Sequence, residues 1–158
     1  MKTGFLFLLT VSVVALFVAA SRSIVAQADP PSVLPADRLP IERPRHSAQW
    51  KGNDLSVEYS YSKDRGQMDL SGTVRFSYAL TMGYTMLKDF RLSAIFLDEN
   101  GRVLKEIGLA TNRDTLEPVP FSQRITLPLN AVFMAFSYQG VACDLGRGRT
   151  SFWFNPIH

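Results

Sequence analysis

The side chains from which hydrolytic or metal chemistry is usually built are few and scattered in this 158-residue chain. Its two histidines are His46, expected in a solvent-facing loop at the end of a proline-rich stretch, and His158, the last residue. A catalytic triad or a metal site needs an imidazole held rigidly beside partners at ligand spacing, and neither histidine has such neighbours in sequence. Cys143 is the only cysteine, so no intramolecular disulfide forms. A lone cysteine of this kind is a small buried apolar residue, a reactive thiol or an intermolecular link, and the buried reading is the expectation for Cys143, since no histidine lies near it in sequence. The carboxylates expected to be exposed are Glu42, Asp98, Glu99 and Asp144. A pair for sugar hydrolysis would have to be assembled from distant strands. Asp98-Glu99-Asn100 lacks the length and spacing of a calcium loop. Gly140, Gly146, Arg147, Gly148 and Arg149 form a glycine- and arginine-bearing stretch that would suit an anion. It lacks the Lys-Ser/Thr end of a phosphate loop, and a strand rather than a helix follows it. The expectation is a protein without catalytic, cofactor-binding or metal-binding residues.

The aromatic side chains carry the remaining chemistry, as contact surface. Trp153 opposes Phe152 and Phe154 in strand parity, so its strand either exposes a ring on one face or, the commoner arrangement, is covered on both sides. An exposed Trp with Tyr neighbours is how a sheet binds a sugar or a partner protein. Tyr84 sits in an irregular stretch, residues 80–88, read as a crossover loop that tucks its Met and Tyr side chains onto the core rim. Tyr59 and Tyr61 share parity with Leu55 and Val57 and belong to the core face or its rim. Trp153, Tyr84, Tyr59 and Tyr61 are the candidate contact residues, and the expected partner is an envelope protein or a glycan.

These residues must be positioned by strands, because helix periodicity is nearly absent after residue 46. Leu55, Val57, Tyr59 and Tyr61 alternate with polar residues, as do Met68, Leu70, Val74, Phe76 and Tyr78. Gly72 within the second run suggests a bulge or bend. Residues 90–97 turn apolar at both parities from Ala94, the mark of a strand covered on both sides. Asp98-Glu99-Asn100-Gly101 then makes a hairpin into Val103, since Asn and Gly accept the positive φ of a tight turn. Further strands are expected over 121–127, 132–138 and 151–155, with a flexible glycine-bearing loop over 139–150. Seven or eight antiparallel strands with turn residues between them predict an all-β sandwich.

Ser71-Gly72-Thr73-Val74, followed by Ile95-Phe96-Leu97-Asp98, Gly101 and Val103, resembles the small exported Ig-like domains of the FxLYD type. The resemblance covers about 35 residues. It departs from that motif at Ala94, Phe96 and Leu97, where Phe, Leu and Tyr are expected, and retains the Asp. It implies an Ig-like β-sandwich with a binding or structural role and no catalytic residues.

Ahead of the strands, Met1-Lys2, an apolar run over 4–20 and Ala26-Gln27-Ala28 read as a signal peptide over 1–28, with a retained N-terminal anchor as the alternative. Either places the rest outside the cytoplasm, periplasmic or extracellular, with membrane contact only through an uncleaved N-terminus. Residues 29–46 hold five of the nine prolines and are expected to form an extended, poorly packed tether of up to ~55 Å. A single domain over 47–158 follows. The pI of 9.2 owes much to the signal segment. Without Lys2 and Arg22, 15 of the 17 basic residues face 14 acidic ones, with no basic stripe, which argues against a nucleic-acid partner. The functional expectation is an exported non-catalytic domain that binds a protein or envelope component. A carbohydrate-binding module is the alternative, and a hydrolase with dispersed carboxylates ranks behind it.

Overall fold

The computed structural model describes residues 30–158 apart from 145 and 147. The signal-peptide segment lies outside the described residues, as do two positions of the glycine- and arginine-bearing stretch. Among the described residues there are nine strands, one short helix and a 3-10 turn, and no helix is long and apolar enough to cross a membrane. One sheet runs β2 (Arg45–Lys51), β3 (Leu55–Asp64), β4 (Gln67–Phe76), β7 (Val119–Thr126). The other centres on β8 (Phe133–Asp144). Along one side of β8 lies β5 (Met86–Leu97), followed by β6 (Val103–Asn112). The other side is shared by β1 (Leu39–Pro40) and β9 (Gly148–Phe154). Every pairing is antiparallel.

Alternation makes the two sheets face one another. Leu55, Val57, Tyr59 and Tyr61 of β3 and Met68, Leu70, Val74 and Phe76 of β4 are buried, while Glu58, Ser60, Asp69 and Arg75 point to water. Rings meet across the gap: Tyr59 and Phe136 at 5.3 Å between centroids, Phe76 and Phe90 at 5.0 Å, Trp50 and Phe136 at 5.5 Å. The edge-on and tilted geometries suit aromatic quadrupoles, and each fully buried Phe contributes about 1.5–3 kcal/mol by burial. The expected all-β architecture is present.

The segment expected to be a tether is docked. Val33 is 1% exposed and Ile41 fully buried. Ser32 bridges to Arg102 and Val33 to Ile157, and β1 adds Leu39 and Pro40 to β8. Pro40 sits at a sheet edge, where its missing N–H costs no ladder bond. Arg38 Nε donates to Val33 O and Nη2 to Asn100 O, both at 2.9 Å, with the guanidinium 5.9 Å from the Phe133 ring centre. This strap covers the outward face of β5, where Ile95 and Leu97 form a second small core with Val33 and Ala135. Apolar residues at both parities in β5 therefore have the meaning read from sequence. The isolated apolar residues of the strap show no period because each fills a separate gap.

Five further expectations change. Cys143, expected to be buried, is only half-buried in β8. His46 is half-buried in β2, its ring 6.2 Å from that of Tyr59 and 5.7 Å from that of Tyr61, rather than in a solvent-facing loop. Residues 80–88 include the end of a helix, α1 (Tyr78–Gly83), capped by Ser77. Leu80 tucks in and Tyr84 packs half-buried against the core, whereas Met82 and Tyr78 point out. Gly72 makes no bulge, since β4 pairs with β3 and β7 in unbroken register. A Cβ there would lie 2.3 Å from the Glu58 carbonyl oxygen and 2.7 Å from Phe121 Cζ, so the glycine makes room for the adjacent backbone and for that ring. The bulges fall in β5 instead. Residues 139–150 are largely strand, and Gly140 lies mid-strand under Phe152, whose Cζ would meet its Cβ at 2.3 Å. Gly140 is thus a packing residue and not part of an anion-cradling loop.

Candidate contact face

β9 is held along the second half of β8, and that pairing resolves the parity of its aromatics. Phe152 is buried, and Phe154 lies half-buried against Trp50 and Tyr138 at 5.5 and 6.0 Å. Trp153 points outward and is 70% exposed. Register aligns Trp153 with Gln139 and Gln139 with Arg91, a row across three strands on the outer face of the sheet. The neighbouring row pairs Ser137 with Ser93.

Around Trp153 the face is hollowed. On one side lies a groove of about 410 Å³, floored by Ser93, Ser137 and Gln139 and bounded by Arg91, Glu106 and Asn155. Ser137 Oγ lies 3.3 Å from Glu106 Oε1 and donates to it, and Arg91 Nη2 lies 4.0 Å from Asp89 Oδ2. On the other side a smaller groove of about 250 Å³ is lined by Asp89, Val141 and Ser151. A flat aromatic ring amid hydroxyl, amide, guanidinium and carboxylate groups can stack a ligand's apolar face while hydrogen-bonding its edge.

Of the four candidate contact residues, only Trp153 stands at the surface. Tyr59 and Tyr61 are 6% and 4% exposed and face the core from the opposite sheet. Burial raises both phenol pKa values. Tyr84 lies half-buried beyond α1. The polar residues around Trp153 were not anticipated. Their outward parity is readable in each strand, but the register that sets Arg91 beside Gln139 and Gln139 beside Trp153 is not.

Asp98 and Asp144, two of the carboxylates considered for hydrolysis, do not come together. Asp98 Oδ1 accepts from the backbone N–H groups of Asn100 and Arg102, both at 2.9 Å, which is turn chemistry. Asp144 accepts from Thr85 Oγ1 at 3.0 Å, beside the start of β5. Asp98 follows the end of that 12-residue strand, roughly 35 Å away by strand rise, against the ~5–10 Å that separates paired glycosidase acids.

The opposite sheet carries a different surface. Ser47, Ser60, Ser71 and Ser122 stand in one row across all four of its strands, with Ser60 and Ser71 Oγ atoms 3.2 Å apart. No ring interrupts this row, so it offers hydrogen bonds without an anchor. Comparison with protein-family models, with curated proteins and with solved structures finds no match to the chain, so the reading of the Trp153 face rests on its own geometry.

Proposed function

We propose that this chain is an exported, non-catalytic, Ig-like β-sandwich that binds a cell-envelope component through the outer face of β5, β8 and β9. The observation that carries the reading is Trp153: a large ring, exposed on a regular strand and flanked on both sides by grooves. So large an apolar group is unfavourably hydrated in the free protein, and burying it against a partner is favourable. The strand order supports the Ig-like class, since β4 pairs with β7 while β5 and β9 flank β8, a crossing pattern between two sheets. The residues that resemble the FxLYD type fall on β4, the end of β5 and the hairpin after it. Export rests on the apolar run and Ala26-Gln27-Ala28.

A glycan is favoured over a protein as the envelope component. Trp153 has hydrogen-bonding side chains around it rather than further exposed apolar ones, which suits a ligand bearing many hydroxyls. Co-sedimentation of the full chain with the envelope fraction of its own cells tests the function. Wild type is expected in the pellet and Trp153→Ala in the supernatant; equal sedimentation of both would remove the face from the account.

A further inference from the structure

We infer that the ligand of the Trp153 face is an acidic polysaccharide, lying along one continuous path across the sheet. This rests on the proposed binding role of that face and names the chemical class it takes. Gln139 and Trp153 border both grooves, so the ring stands between them as a shared wall. Asp89 and Val141 in turn border a third hollow of about 390 Å³, whose other walls are Lys88, Arg113 and Arg149. Register orders the path: Ser93 with Ser137, then Arg91, Gln139 and Trp153, then Asp89, Val141 and Ser151, then Cys143 with Arg149. Same-face rows are two residues apart along a strand, so three intervals span roughly 20 Å. That length suits several linked rings rather than a single small molecule.

Charge selects among polymers. Arg91 pairs with Asp89, and Glu106 accepts from Ser137. No carboxylate among the described residues lies within ion-pair distance of Lys88, Arg113 or Arg149. Three cations with no acidic partner among the described residues therefore share one end of the path with the Arg91-paired Asp89, in a chain whose charge is otherwise nearly balanced outside its first 28 residues. A polymer with carboxylates at regular intervals would set one ring on Trp153 and an acid among these cations, with its hydroxyls over Ser137 and Gln139. Such attraction weakens with salt.

The test measures binding of the full chain to three polymers: polygalacturonate, the same polymer with its carboxylates reduced to alcohols, and poly-glutamate. Wild type is compared with Trp153→Ala and with the double variant Lys88→Ala/Arg149→Ala, all surface changes whose thermal melts serve as folding controls. Polygalacturonate is expected to bind at least about tenfold more tightly than either comparator, and less tightly at high salt. The double variant should lose about tenfold on polygalacturonate alone, and Trp153→Ala should lose binding to it altogether. Equal binding of the reduced polymer overturns the acidic class and leaves the Trp153 face standing. Equal binding of poly-glutamate overturns the sugar class. Binding of polygalacturonate untouched by Trp153→Ala overturns the path and the face together, and no binding of polygalacturonate at all overturns the inference while the envelope sedimentation still decides the face.

Discussion

Tyr138 and Tyr61 are both buried phenols, and they are expected to answer oppositely to the loss of a hydroxyl. Tyr138 donates to Asp54 Oδ2 at 2.8 Å and accepts from the Asp54 backbone N–H at 3.3 Å, tying β8 to the turn between β2 and β3 in the facing sheet. Tyr138→Phe should cost about 1–2 kcal/mol in urea unfolding. The Tyr61 hydroxyl has no hydrogen-bond partner among the described residues, so Tyr61→Phe should be neutral or stabilising by up to about 1 kcal/mol. The pH dependence follows from the same groups. Burial raises all three phenols, Tyr59, Tyr61 and Tyr138, above the ordinary value of 10.0, and for Tyr138 the bond to Asp54 adds to it. Below pH 10 folded and unfolded chains hold these protons equally. Above it the unfolded chain releases them first, so stability should fall as pH rises past 10, in step with tyrosinate absorbance. Tyr138→Phe should flatten that alkaline limb. Trp153→Ala, by contrast, should leave stability within about 0.5 kcal/mol of wild type, because the ring is largely in solvent.

At the scale of elements, the 98–101 hairpin is a register device with a second duty. Gly101 has φ +82°, and a Cβ there would lie 2.1 Å from Arg38 Nη2, the guanidinium that holds the strap to the turn. Gly101→Val should therefore cost upwards of about 2 kcal/mol, combining left-handed strain with displacement of Arg38, and an unshifted thermal melt would refute both roles. This hairpin and the strands around it were legible because alternation and turn chemistry agree over 55–78 and 92–109. β2 was not: His46, Ala48 and Trp50 alternate inward with Arg45, Ser47, Gln49 and Lys51 outward, but the inward set mixes residue types and follows a proline. The helix α1 is a single capped turn and a half, below any periodicity window. The first residues of β9 and the second half of β8 were obscured by glycines that serve ring packing at Gly140 as well as the turn, while the rest of β9 was legible as a strand over 151–155. For the same reason Trp153 was found by parity alone, while its polar companions waited on cross-strand register.

At the scale of the molecule, the strap joins the two ends of the fold. Ser32 N–H donates to His158 O at 3.3 Å and His158 N–H to Ser32 O at 2.9 Å, so the start of the strap lies beside residue 158. The ~55 Å reach expected of residues 29–46 does not exist, because Ser32, Val33, β1 and Ile41 dock this stretch onto the sheets before β2 begins. Loss of Val33 and Ile41 burial alone is expected to cost about 3–6 kcal/mol. A chain beginning at Ser47 should thus unfold well before one beginning at Pro30, and identical melts would restore the tether. The central claim, that the Trp153 face is where this domain meets its partner, has a direct probe in the chain's two tryptophans. Trp50 packs in the core against Phe136, and Trp153 stands in solvent. The measurement is the pair of indole N–H resonances of the full chain as solubilised envelope material from its own cells is added. The Trp153 signal is expected to shift or broaden while the Trp50 signal holds still; a shift of Trp50 alone, or of neither under conditions where the chain sediments with the envelope, would contradict the account.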